Sequence, residues 1–296
     1  MNKGILYGIG AYAIWGLFPL YWKAMASVPS LQIVAHRLVW CLVFVAVLVW
    51  IMRGWTDLRK AITRRLVLLY TVAAALLTVN WLVYIWGVNA GFVVETSLGY
   101  FINPLVNVAL GVLFFKERLS LSKWLPIGLA AVGVLYLTIS YGQLPWISLA
   151  LAFSFGLYGL MKKALPLNAL QGLTLETAVL FVPSLAFLLF VEAQGTGSLF
   201  HETPLVNLLL ILAGPVTALP LLLFSGAARS IPLSTLGLLQ YIAPTLQFML
   251  GVFVYHEPFT QERLIGFAII WLALIILTVG GLVERRRAII AVVGFK

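Results

Sequence analysis

Apolar residues in this chain come in long unbroken runs, without the strict alternation of half-buried strands, and ten such runs can be delimited. They cover residues 4–25, 29–52, 66–88, 91–115, 124–141, 145–165, 170–191, 205–228, 231–255 and 264–283. A hydrocarbon layer about 30 Å thick takes roughly 20 residues of helix to cross, so each run is long enough to span it. Uninterrupted runs of this length do not read as barrel strands, and an open sheet cannot leave its edges unpaired in lipid. The pattern predicts an all-α membrane protein with ten transmembrane helices.

The pattern also repeats at a constant offset of 140 residues. Trp15, Gly16, Leu17, Leu20, Lys23 and Ala24 align with Phe155, Gly156, Leu157, Leu160, Lys163 and Ala164; Pro104, Gly111, Val112 and Glu117 align with Pro244, Gly251, Val252 and Glu257. Each unit holds five runs, and two units of an odd number of spans insert with opposite orientations. The expected organisation is a first five-helix repeat at 1–143, an inverted second one at 144–283, and a basic cytoplasmic tail at 284–296. Such a fused, inverted pair is the sequence sign of a carrier whose central site opens to one face and then the other.

Composition narrows the class further. A mean hydropathy of +1.07 with only 9% charged residues excludes an ordinary soluble domain, in which about 25% are charged. The net charge of +10 could point to nucleic acid, but its placement argues against the basic stripe such binders need. With the N-terminus inside, 16 of the 19 basic residues fall on the cytoplasmic side, and only Lys23 and Arg263 on the other. That asymmetry follows the positive-inside rule and predicts cytoplasmic N- and C-termini. The single cysteine, Cys41, permits no internal disulfide.

Four ionisable residues inside the runs need a reason: His36 and Arg37 in the second, Glu95 in the fourth and Glu176 in the seventh. Charged groups in lipid cost several kcal/mol unless they face a cavity or a partner. At ~1.5 Å per residue, Arg37 lies roughly 12 Å and Glu95 roughly 6 Å from the outer ends of their helices. This depth predicts a Glu95–Arg37 ion pair with His36 beside it. His36 and Glu176 are related by the 140-residue offset, and a histidine and a carboxylate at mirrored positions would suit a proton path. The plainer alternative is that all four hold helices together.

A second tier of polar residues, Asn80, Asn103, Gln240 and Tyr241, is interleaved with Trp81, Tyr84 and Tyr100. It predicts a central aromatic pocket with a few amides, suited to an amphipathic organic solute rather than a bare ion. Pro104 and Pro244 are related by the repeat; a kink duplicated in oppositely oriented helices would serve two gates, against the alternative of static packing. Motifs for catalysis are missing from the sequence. His201-Glu202 and His256-Glu257 lack the second histidine four positions on, where Leu205 and Thr260 stand. There is no phosphate loop and no nucleophile elbow, so the expectation is no enzyme, no metal and no cofactor.

The stretches His36–Trp40, Asn80-Trp81, Glu95–Leu105, Glu117-Arg118, Glu176-Thr177, Leu233–Gly237 and Gln240–Ile242 with Pro244–Leu246 resemble the RarD branch of the EamA-type drug/metabolite transporters. The likeness spans the chain, and Glu95–Leu105 is its most specific part. The resemblance implies a multi-pass bacterial inner-membrane permease built of two inverted repeats; the branch's link with chloramphenicol sensitivity implies an exporter of drugs or metabolites. Lys116 and His256 stand where relatives usually carry glycine before the glutamate, and Thr78 replaces a glycine near Asn80. The leading expectation is a secondary exporter of small organic solutes, driven by proton exchange or by the solute's own gradient. A non-transporting membrane sensor or assembly partner, and an enzyme acting on a lipid-linked substrate, remain alternatives, and the oligomeric state is open.

Overall fold

The computed structural model describes residues 3–115, 121–141, 144–231, 236 and 239–293, and every regular element among them is helical. In chain order they are α1 (Lys3–Gly16), α2 (Phe18–Lys23), α3 (Ser30–Ile51), α4 (Trp55–Ala61), α5 (Arg64–Asn89), α6 (Val93–Phe115), α7 (Leu121–Tyr141), α8 (Trp146–Ala164), α9 (Ala169–Ala193), α10 (Pro204–Ser230), α11 (Ile242–Met249) with a π-helical turn (Leu250–Val254), and α12 (Gln261–Val293). Among the described residues, six stretches are long and apolar enough to cross a membrane: Lys3–Lys23, Ser30–Ile51, Arg64–Asn89, Ala169–Ala193, Pro204–Ala227 and Gln261–Gly280. Shorter apolar helices cover Trp124–Ser140, Trp146–Lys162 and Ile242–Val254. Leu113, Ile139 and Val182 are each at least 70% exposed, while Asn80, Asn103 and Arg37 are buried. A surface this apolar around a polar interior is the inverse of a soluble protein and fits a lipid surround.

Proline and helix-capping chemistry set the element ends. The first run divides at Leu17, because Pro19 in the first turn of α2 has no amide to continue the α1 ladder. Thr63 and Thr203 each accept a hydrogen bond from the amide three residues on, starting α5 and α10; these caps are themselves 140 residues apart. Asn168 does the same for α9. Pro104 sits within a continuous α6. Pro244 instead lies in the first turn of α11, where a missing donor costs little, so the two prolines occupy different positions in their helices. The run expected at 231–255 has turn residues at Gln240 and Tyr241 and ends in the π turn. The final helix continues past residue 283 to Val293.

Helix packing recurs at the same offset. α1 packs on α10 and α11, and its counterpart α8 packs on α5 and α6. α3 and α9 pack on each other, as do α7 and α12. A Cβ placed on Gly16 would meet Leu246 Cβ at 2.7 Å, and one on Gly156 would meet Val106 Cγ1 at 2.9 Å, so both close approaches need glycine and both recur 140 residues apart. α3 and α10 also touch backbone to backbone, where a Cβ on Gly214 would run into the Trp40 carbonyl and come 2.6 Å from the Cys41 amide.

Candidate functional site

The polar residues singled out in the sequence fall into three places along the bundle. The first is its middle. Arg37 on α3 is 3% exposed, and its guanidinium carbon lies 3.7 Å from the Trp81 ring centroid, 4.9 Å from that of Trp22 and 5.8 Å from that of Phe18. These aromatics come from α5 and α2. Arg37 Nε and Nη1 are buried without a hydrogen-bond partner among the described residues, as are Trp22 Nε1 and the Tyr84 hydroxyl. Tyr84 packs edge-to-face on Tyr100 at 5.5 Å, and Tyr100 on Phe155 at 6.1 Å.

The amides expected in a pocket have a different duty. Asn80 Nδ2 donates to Leu151 O and Ser154 Oγ, both at 3.0 Å, while its Oδ1 accepts from the Tyr100 hydroxyl at 3.3 Å. Asn103 Nδ2 donates to Ala152 O at 3.2 Å, and its Oδ1 accepts from Asn107 Nδ2 at 2.9 Å. Both asparagines fasten α8 to its neighbours, because a buried amide in an apolar bundle takes the nearest free carbonyl. Tyr241 departs from the expected pocket altogether: it packs with the cluster of Phe101, Phe267 and Trp271, away from Trp81 and Tyr84. Gln240 is half-buried beside it in the turn before α11.

The second place is the end where α8 finishes and α9 begins. Lys162, within the run expected at 145–165, lies in the last turns of α8 and pairs with Glu176 Oε1 at 2.8 Å. The Tyr158 hydroxyl donates to Glu176 Oε2 at 3.2 Å, and Lys162 Nζ lies 5.2 Å from the Tyr70 ring centroid. Glu176 is 2% exposed. Its bonded partners are therefore on α8, and His36, itself buried on α3, is not among them.

The third place is the opposite end of the bundle, which corrects the predicted Glu95–Arg37 pair. Glu95 Oε1 accepts from the Ile147 amide at 3.3 Å, and its main-chain oxygen from Ser148 Oγ at 2.6 Å. It lines a cavity of about 140 Å³ with Trp86, Phe92, Trp146, Arg263 and Phe267. Glu95 thus faces α8 and α12, whereas Arg37 faces α2 and α5. Their different levels and the rotation of each helix about its axis decide the partners.

Beside Glu95 lies a contact that was passed over in the sequence. Glu257 Oε1 and Oε2 accept from the Val93 and Val94 amides at 2.6 and 2.8 Å. These are first-turn amides of α6, which have no partner within their own helix, and a carboxylate there is favoured by the helix dipole. Gly251 lets the π turn lie directly on this helix start, since a Cβ there would be 2.7 Å from Val94 Cγ2. Burial raises the Glu257 carboxyl above its usual range, opposed by the Val94 and Val93 amides, Lys23 and Arg263. Lys23 Nζ donates to Val88 O at 3.1 Å and Asn89 O at 3.4 Å at the close of α5, and stands 5.3 Å from the Tyr255 ring centroid. Gln32 closes the rest of this end by bonding Thr196 O and the Ser198 amide. The signal that could have found Glu257 and Lys23 was their duplication as Glu117 and Lys163; Glu117 and Leu233–Ser234 lie outside the described residues.

Comparison with known proteins extends these observations. The profile of the EamA-like transporter family matches residues 2–139. The protein RarD of Streptomyces exfoliatus is 49% identical over 288 residues, covering 97% of this chain and 91% of its own length. An uncharacterized transporter YojE of Bacillus subtilis is 46% identical over 292 residues, covering 97% of both. The protein RarD of Escherichia coli K12 is 44% identical over 288 residues, again with 97% of both covered. A solved crystal structure shares the fold with a TM-score of 0.56 at 19% identity, over 94% of this chain and 98% of that one.

Proposed function

We infer the function from one premise: this chain belongs to the RarD branch of the EamA-like transporter family. It is a multi-pass membrane transporter of small solutes. Beyond this, we propose that it is a secondary exporter of small organic molecules in a bacterial inner membrane, working by alternating access between two inverted five-helix repeats at 1–143 and 144–283, ten spans in all. The observation that carries this reading is the recurrence of helix contacts at a 140-residue offset, with Gly16 on Leu246 and Gly156 on Val106. A pair of related units with their own close contacts supplies two halves that can rock about a shared centre.

On this reading the Lys23 end faces outward, since the basic connections crowd the other end, and it is closed here by Glu257, Lys23 and Gln32. Arg37, Trp81, Tyr84 and Tyr100 line the central site, with Asn80 and Asn103 holding its wall. Pro104 and the π turn after Pro244 are the points where the two gates bend. A proton path runs through Glu176 with Lys162 and Tyr158, with His36 as its counterpart on α3; Glu95 stands outside it, in the cavity at the outer end. Proteoliposomes loaded with a panel of aromatic metabolites, amino acids and amphenicols test the proposal by counterflow. Exchange of at least one solute is expected, with a changed pH profile in Glu176→Gln. No counterflow beyond protein-free liposomes would refute the transport reading, and an unchanged pH profile would remove Glu176 from coupling.

A further inference from the structure

Arg37 is a buried cation to which, among the described residues, no carboxylate is bonded. Among the described residues, the acidic groups near the bundle interior are engaged elsewhere: Glu95 with the Ile147 amide in a cavity shared with Arg263, Glu176 with Lys162 and Tyr158, and Glu257 with the start of α6. Taking a guanidinium out of water costs several kcal/mol even after relaxation. The faces of Trp81, Trp22 and Phe18 return part of this, about 2 kcal/mol for a desolvated cation–π contact. The faces of a guanidinium can be stacked in this way, but its N–H edge still needs acceptors, and Nε and Nη1 have none.

The polar groups packed in the same cluster can donate too. Trp22 Nε1 and the Tyr84 hydroxyl are buried without partners, and Tyr84, Tyr21 and Tyr100 pack in the same cluster as the Trp22 and Trp81 rings that flank the guanidinium. Tyr21 already donates to Leu209 O at 2.5 Å and Tyr100 to Asn80, which leaves Arg37, Trp22 and Tyr84 as the free set. A buried cation beside further unpartnered donors, with no carboxylate bonded to it among the described residues, is the complement of an anion. Its walls, Trp81, Tyr84, Tyr100 and Phe155, offer ring faces and edges to an apolar body.

We propose that the central site takes organic monoanions, a carboxylate on an aromatic or apolar body, with Arg37 as the counter-ion supplied by the protein and Trp22 and Tyr84 as further donors. This rests on the transport reading above, which leaves the solute's charge open. The carboxylate accepts from the Arg37 edge while the guanidinium stays stacked on Trp81. A cationic amine would meet an uncompensated positive charge and be refused. Arg37 then costs stability in the empty protein and recovers it when the solute arrives, so binding and the closing of the bundle around the solute are linked.

The test compares matched probes on the purified full-length protein in lipid nanodiscs, by thermal shift and calorimetry. The probes are 3-phenylpropionate, its uncharged amide, phenethylamine and inorganic phosphate. The expected result is that the acid binds on the order of 10- to 100-fold tighter than the amide, as a charge-assisted hydrogen bond provides, with no binding of the amine. In Arg37→Gln the acid and amide should bind alike, while the melting temperature of the empty protein is unchanged or higher. Equal binding of acid and amide by the wild type, preference for the amine, or no binding of any probe would overturn the proposal, and none of these needs a folded variant. Phosphate binding as tightly as the aromatic acid would overturn the aromatic body. A lower melting temperature in Arg37→Gln without any loss of acid preference would make Arg37 a structural clamp. Counterflow with neutral solutes separates the two readings: if it persists while the acid is ignored, transport stands and the anion assignment falls.

Discussion

Replacing Glu257 by alanine removes the only acceptors seen for the Val93 and Val94 amides and tests whether this carboxylate latches one end of the bundle. Each hydrogen bond to a charged group is worth about 1.5–3 kcal/mol, and two are lost at 2.6 and 2.8 Å. The gain from relieving a buried carboxylate offsets part of that, leaving a net loss of about 3 kcal/mol, or roughly 100-fold in the opening equilibrium. Hydrogen exchange followed by mass spectrometry on the peptide covering 90–98 reads it directly. Glu257→Ala should lose protection at those two amides by about two orders of magnitude, with Glu257→Gln between it and the wild type because its amide oxygen still accepts. Peptides around Lys162 and Glu176, at the far end, should exchange as before. Wild-type protection at Val93 and Val94 in the alanine variant would refute the latch.

Other substitutions probe the packing. His256 adopts φ 51°, a region that costs most non-glycine residues about 1 kcal/mol, so His256→Gly should raise the melting temperature; an unchanged or lower value would show that the imidazole offsets the strain. Gly214→Ala should cut the yield of folded protein sharply, because backbone atoms of Trp40 and Cys41 block the added methyl and neither can rotate away; normal melting would contradict the packing. Gly128→Ala is the control, with open space around its Cβ inside α7, and should stabilise by about 0.5–1 kcal/mol. Lys162→Met leaves Glu176 buried without its cation and should destabilise by about 3 kcal/mol, with Lys162→Met/Glu176→Gln recovering part of the loss in the same melting assay.

The helices were legible because lipid imposes long apolar runs, and Gly16 and Gly156, aligned by the repeat, prove to sit at two equivalent close contacts. The side-chain partners were not legible. Glu95 and Arg37 differ in both level and face, and nothing short of packing reveals that α6 turns its third residue toward Ile147. Asn80 and Asn103 look alike to pocket amides and to helix fasteners, since the carbonyls they reach belong to α8, some 50 to 70 residues away. Glu257 was visible as half of a duplicated pair, yet its role depends on a π turn that no propensity predicts. The left-handed backbone at His256 is a conformation that glycine adopts at less cost.

The π turn at Leu250–Val254 stores one surplus residue of winding. Restoring ordinary α geometry there would rotate everything that follows by about 100°, swinging the Glu257 carboxylate off the start of α6 without tearing another helix apart. A chain that keeps such slack beside its lock can unfasten by rewinding a single turn.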